Sequence, residues 1–230
     1  MMLEKFAPSR RFILAAALAV ALPLAAPALA QQAETKIPLV EMLAPQALPD
    51  IVEGKADAPV VIVEYASMTC GHCAAFHNDV YPTLKKDFID TGKVKFMLRE
   101  FPLDERAAAA FMLARSLGDK RDAAVDFLFA QQKNWAFTET PFESLANAVK
   151  QLGIGQAKFE EALKDEQLQK AIYAVAEQGQ KFGVSATPTF FINGVKLEGR
   201  MDVAGLPKII EDAEKGGKDG EAASGPPPAR

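Results

Sequence analysis

The chain has 230 residues, 49% of them hydrophobic, enough for one domain with its own core. A formal net charge of −4 argues against a general binder of nucleic acid or of anionic membranes. Two cysteines are too few to staple a small scaffold, so packing must hold the fold together.

Residues 1–30 read as a cleavable signal peptide. Lys5, Arg10 and Arg11 precede a charge-free stretch from Phe12 that closes in Ala28-Leu29-Ala30, the small-residue pattern a signal peptidase reads. The stretch approaches the roughly 20 apolar residues of a membrane span, but Pro23 and Pro27 weaken that reading, and Arg10-Arg11 fits a twin-arginine signal only loosely. Export would place the protein where disulfides form and persist. Cleavage would leave 23 Lys and Arg against 29 Asp and Glu.

Residues 31–57, interrupted by Pro38, Pro45 and Pro49, read as an exposed N-terminal arm with short extended pieces at 37–40 and 51–52. The β-branched run PVVIVEY at 59–65 predicts a buried strand. A helix should follow over 70–89, kinked or broken by Pro82, and then a second strand over 93–101.

From Asp104 to Phe182 the pattern is helical. Thr140-Pro141-Phe142-Glu143 predicts a capping box with proline in the first turn. Behind it Phe142, Leu145, Ala146, Val149 and Leu152 form an apolar stripe ended by Gly153. Leu168, Ile172, Val175, Ala176, Gly179 and Phe182 form another. Both read as core, with no cofactor role. Asn193-Gly194, between runs at 190–192 and 195–197, predicts a hairpin. A last helix should cover 203–214, and residues 215–230 have the composition of a disordered tail.

The order β-α-β, helices, β-β-α implies one mixed sheet interrupted by a helical block. In domain terms this is an α/β domain at 58–103 and 183–214, with an inserted helical domain at 104–182.

All cysteines and histidines fall in TCGHCAAFH: Cys70, His72, Cys73 and His77. A structural zinc site draws four ligands, usually from two separated pairs. No second cluster exists, and a single short helix points His72 about 100° away from Cys73. A hydrolytic thiol needs a histidine brought from elsewhere, and there is none. What remains is a static bridge or an exchanging dithiol.

Cys-x-x-Cys at a helix start after a buried strand favours exchange. Free backbone N–H groups and the helix dipole there stabilise the thiolate of Cys70. His72 can add charge or a hydrogen bond, and Gly71 leaves the turn unencumbered. Cys73, one turn deeper, would resolve the mixed disulfide.

VEYASMTCGHCAAFH, REFPLD and SATPTFFINGV together resemble the DsbA-like thioredoxin-fold oxidoreductases of the bacterial periplasm. The resemblance covers about residues 50–214. It implies a thioredoxin-like fold, a central mixed sheet with flanking helices, carrying an inserted helical domain. It further implies Cys70 and Cys73 as the redox pair tuned by Gly71-His72. Thr187 and a cis Pro188 would face that pair and take an extended substrate by strand addition. Glu64 matches a buried acid beneath the dithiol that relays the proton of the resolving thiol. His77 matches no family role and reads as a solvated helix position.

The resemblance implies no cofactor beyond the Cys70–Cys73 disulfide. As partners it implies unfolded exported proteins and a membrane redox protein. The best-known oxidases of the family have proline where Gly71 stands, whereas Gly-His resembles protein disulfide isomerase. The direction of exchange thus stays open between an oxidase and an isomerase or reductase kept reduced, with the arm at 31–57 as a candidate oligomerisation element. A non-redox peptide-binding module is the reading outside the class.

Overall fold

The computed structural model describes residues 36–197 and 200–222; the signal-peptide reading of residues 1–30 lies outside them. The described part opens with a one-turn helix α1 (Leu39–Met42) and strand β1 (Ile51–Glu53), followed by β2 (Val60–Ala66). A continuous helical segment comes next: α2 (Gly71–Ala75), a π-helical turn (Phe76–Val80), α3 (Tyr81–Leu84) and a second π turn (Lys85–Ile89). It leads into β3 (Val94–Glu100). Six helices separate β3 from the next strand: α4 (Glu105–Arg115), α5 (Arg121–Ala130), α6 (Gln132–Trp135), α7 (Pro141–Val149), α8 (Gln156–Leu163) and α9 (Glu166–Lys181). The hairpin β4 (Thr189–Ile192) and β5 (Val195–Lys196) and helix α10 (Leu206–Ala222) complete the fold.

The five strands lie in the order β1-β3-β2-β4-β5. β2 pairs in parallel with β3, and the other pairings are antiparallel. This is a mixed sheet of thioredoxin type with a helical insertion, α4–α9. Side chains on a strand alternate between faces, and β2 uses this fully because all seven of its residues are buried. Val61, Val63 and Tyr65 pack with Phe191, Ala176 and Met42. Val60, Ile62 and Ala66 pack on the opposite face with residues of α2, α4 and α5. By the same parity Glu64 points to that second face. The apolar core there runs unbroken from the sheet into the insertion.

Pro82 falls in the first turn of α3 and the helical segment does not break. Proline lacks an N–H to donate back along the helix, and the wider π turn just before it absorbs the mismatch. The Asn193-Gly194 hairpin forms with both residues at positive φ, 48° and 82°. At Gly194 a Cβ would stand 2.1 Å from the carbonyl oxygen of Ile37, so the hairpin and the N-terminal segment need glycine there.

Four expectations are corrected. Residues 31–57 are not a free arm over the described part: most positions are exposed or half-buried, but Met42 is fully buried and Ile51 nearly so. The cause is Arg99, buried in β3, whose guanidinium is met by Asp50 (2.7 and 3.0 Å), the carbonyl of Met42 (2.7 Å) and Tyr65 Oη (3.0 Å). Second, Pro38 begins a helical turn where an extended piece was expected at 37–40; its carbonyl accepts from Glu41 and Met42. Third, the capping box at Thr140 does not close. Pro141 opens α7 as expected, yet the Thr140 side chain makes no cap bond, and Thr138 and Ser144 pair their hydroxyls at 2.9 Å instead. Fourth, α10 starts later than residue 203, because Asp202 Oδ1 accepts from Gly205 N (2.8 Å) in a turn. It also runs past residue 214 to Ala222, so residues 215–222 of the tail read as disordered are helical, and the i,i+4 pairs Lys208–Asp212 and Glu211–Lys215 support the part up to residue 215.

Candidate active site

Cys70 is the N-cap of α2, in extended conformation, and its Sγ accepts a hydrogen bond from Cys73 N at 3.4 Å. The loop before it is fixed from several sides. Ser67 Oγ accepts from Leu103 N (3.2 Å) and Thr69 N (3.4 Å), and Cys70 N donates to Ser67 O (3.0 Å). Gln132, buried on α6, donates through Nε2 to the carbonyls of Met68 and Cys70, both at 2.9 Å.

The two thiols are pushed apart. Cys70 falls from its ordinary value to about 5. The neighbouring Cys73 contributes most, and Thr187 and the N–H groups of Cys73 and His72 add to it against partial burial. Cys73 is fully buried and its thiol is driven far up. Desolvation is the main cause, joined by the hydrogen bond to Cys70 and by the negative charge of Glu64. Cys70 is therefore the thiol of the pair that ionises more readily, and Cys73 the one that holds its proton.

The Thr187–Pro188 peptide is cis, and Cys70 Sγ lies 3.2 Å from the carbonyl oxygen of Thr187. Beside this contact opens a groove of about 480 Å³, with His72, Phe76, Pro188, Phe190, Met201 and Val203 among its walls. Gly71 and His72 are both exposed. The imidazole of His72 stands on the groove rim, and among the described residues its contribution to Cys70 comes from the backbone N–H.

Glu64 is fully buried, and its charge is felt at Cys73. His77, read from sequence as a solvated position, is buried as well: its Nε2 meets Glu64 Oε2 at 2.9 Å, and its ring stacks on Phe129 at 4.2 Å. The π turn carries His77 toward the sheet, and the charge of Glu64 gives it a partner there. Gln132, Arg99 and Asp50 are further polar residues that the motifs did not single out. A buried-strand arginine in KVKFMLREF was the one available signal. Among the described residues there is no group of three or more His, Cys, Asp or Glu that could hold a metal ion. No described helix is long and apolar enough to cross a membrane.

A Cys-x-x-Cys at a helix start, with the segment of a cis-proline against its first sulfur and a mixed sheet of this order below, defines a thioredoxin-fold protein of the disulfide-oxidoreductase kind. A family model described as thioredoxin matches residues 46–212, and the chain belongs to that family. Within it the chain is related to the DsbA-like proteins. It is 32% identical over 173 residues to a putative protein-disulfide oxidoreductase of Rickettsia bellii, covering 72% of this chain and 66% of that one. A similar protein of Rickettsia typhi is 34% identical over 155 residues, covering 65% and 56%. The chain thus spans less than two thirds of the length of either relative. The crystal structure of Wolbachia pipientis alpha-DsbA1 superposes with a TM-score of 0.70 at 28% identity, covering 78% of this chain and 98% of that one.

Proposed function

We propose that the protein is a periplasmic thiol–disulfide oxidoreductase that introduces disulfides into newly exported proteins. The observation that carries this reading is the unequal setting of the pair: Cys70 caps α2, accepts from Cys73 N and lies 3.2 Å from the Thr187 carbonyl oxygen, while Cys73 is fully buried, which lowers the first thiol and raises the second. A stabilised thiolate favours the reduced enzyme and so makes its disulfide a stronger oxidant.

In the oxidised enzyme a substrate thiolate attacks Cys70 Sγ, the Cys70–Cys73 bond breaks, and Cys73 leaves as a thiolate that takes up a proton. A second substrate thiolate then attacks the substrate sulfur of the mixed disulfide. The substrate disulfide forms, the Cys70 thiolate is released, and two electrons have passed to the enzyme. A membrane redox partner would take those electrons and restore the Cys70–Cys73 bond.

The other residues divide the work. Gly71 and His72 tune the pair through the helix start. Thr187 and Pro188 present backbone to an extended substrate as an added strand, with the groove receiving an apolar side chain. Glu64 exchanges the proton of Cys73. Export through a cleaved segment 1–30 is part of the same reading, supported by the signal-peptide pattern of that segment and the likeness to alpha-DsbA1.

Trapping thiols by alkylation in intact cells tests it: the resting pair is expected to be oxidised, and a largely reduced pool would overturn the oxidase direction. A Cys70→Ser protein is expected to lose insulin reduction and oxidative refolding activity, and full retention would overturn exchange altogether.

A further inference from the structure

The inference rests on the exchange reading above and concerns where the proton of Cys73 goes. Glu64 is sealed from solvent, so a proton it accepts needs an exit or a compensating release. Two buried polar atoms of Glu64 and its neighbour His77 have no hydrogen-bond partner inside the protein, Glu64 Oε1 and His77 Nδ1, and Asp122 Oδ1, on a cavity that His77 also lines, is a third.

His77 joins these atoms. Its Nε2 lies 2.9 Å from Glu64 Oε2, and its Nδ1 lies 3.5 Å from Oδ1 of Asp126, whose side chain is 47% exposed. Beside the ring is a cavity of about 10 Å³, lined by Glu53, His77, Tyr81, Asp122 and Asp126 among others. That is room for about one water molecule, which the polar side chains among its walls could bond. The titratable groups facing the imidazole are Glu64 on β2, Asp122 and Asp126 on α5, Glu53 on β1 and Tyr81 on its own helical segment. Lys85 and Tyr81 bond Glu53, and Arg121 Nε stands 3.4 Å from Asp122.

We propose that Glu64 and His77 form a charge-neutral proton-exchange pair for Cys73, opening to solvent through one water at Asp126. When the reduced enzyme is reoxidised by a disulfide, the Cys70 thiolate attacks one sulfur and the first thiolate leaves. Cys73 then gives its proton to Glu64 Oε1, the unpartnered oxygen, and its sulfur attacks Cys70 Sγ. The Cys70–Cys73 bond forms, the second thiolate leaves, and two electrons have gone to the external disulfide. His77 keeps its Nε2–H on Glu64 Oε2 and releases the Nδ1 proton to the cavity water and Asp126.

The buried pair passes from carboxylate and imidazolium to carboxylic acid and neutral imidazole, without net charge in either state. An uncompensated buried charge is what the interior tolerates least. Reduction of the enzyme runs the same steps inward. The ring therefore never has to turn, which suits an imidazole stacked on Phe129. The starting charge state agrees: burial presses the imidazolium down most strongly, yet the charges of Glu64 and Asp126 and the bond to Glu64 together lift His77 to about 9.

The test reacts the reduced full chain with glutathione disulfide and quenches in acid, so that mixed-disulfide formation and ring closure to Cys70–Cys73 are timed separately. In His77→Gln, closure at neutral pH is expected to slow at least about tenfold relative to the first step, with an altered pH profile. Equal slowing of both steps, or closure within about twofold of wild type, would overturn the pair. Asp126→Asn changes a half-exposed side chain and guards against misfolding. It is expected to slow closure a few-fold and to delay proton release to an indicator dye; normal closure and release would overturn the outlet. Failure of the exchange reading itself looks different, because the wild type would then form no mixed disulfide.

Discussion

Gln132 Nε2 donates at 2.9 Å to the backbone carbonyl of Cys70, and at the same distance to that of Met68. A one-turn helix in the insertion thereby fixes the loop that carries the first cysteine. The carbonyl of Cys70 has a second donor in Ala74 N, at 3.1 Å. Replacing Gln132 with Leu should thus orphan chiefly the Met68 carbonyl and cost about 1–3 kcal/mol of stability. It should also raise the Cys70 titration midpoint by loosening the N–H groups around its sulfur. Denaturant unfolding and thiolate absorbance in the ultraviolet measure the two effects.

The pH dependence of Cys70 has a definite sign. Its folded value of about 5 lies below its ordinary value of 9.0. The contribution to reduced-state stability should be absent below about pH 5, grow as pH rises through the interval, and be complete above about 9. Unfolding reduced wild type and Cys70→Ser across this range should show wild type gaining steadily. A flat difference would contradict the stabilised thiolate.

For His77 the sign is opposite. Its folded value, about 9, lies above the ordinary 6.5. The stabilisation it confers should be full below about pH 6.5 and disappear as pH rises through about 9. The stability difference between reduced wild type and His77→Gln measures it, since the Cys70 contribution is common to both proteins.

Asp50→Asn probes the N-terminal segment. Arg99 would keep the Met42 carbonyl and Tyr65 hydroxyl but lose its carboxylate partner while fully buried. Breaking a buried pair from one side costs about 3–5 kcal/mol, and the lower end is expected here because those neutral partners remain. Hydrogen exchange should rise first in residues 36–50, the part that Arg99 holds down.

Much of the fold was legible because it is written locally. The β-branched run around Ile62 makes a strand wherever it is buried, Asn193-Gly194 accepts positive φ at both turn positions, and the stripe from Ile172 to Phe182 repeats at helical spacing. The capping motif at Thr140 shows the limit of such reading. A hydroxyl can cap only if no neighbouring arrangement suits the turn better, and here the Thr138–Ser144 pair takes over.

The sequence by itself determined the cysteine pair at a helix start, the proline 115 positions behind Cys73, and the acid six residues before Cys70. Only the tertiary structure decided what surrounds them. His77 sits on a helix whose pattern says nothing of Glu64, because the parity of β2 and the added turn of the π segment jointly bring them within 2.9 Å. Arg99 and Asp50 stand 49 positions apart, and Gln132 and Cys70 stand 62 apart. Burial turns each of these polar groups into a demand for a partner, and which distant residue meets it depends on how the elements pack.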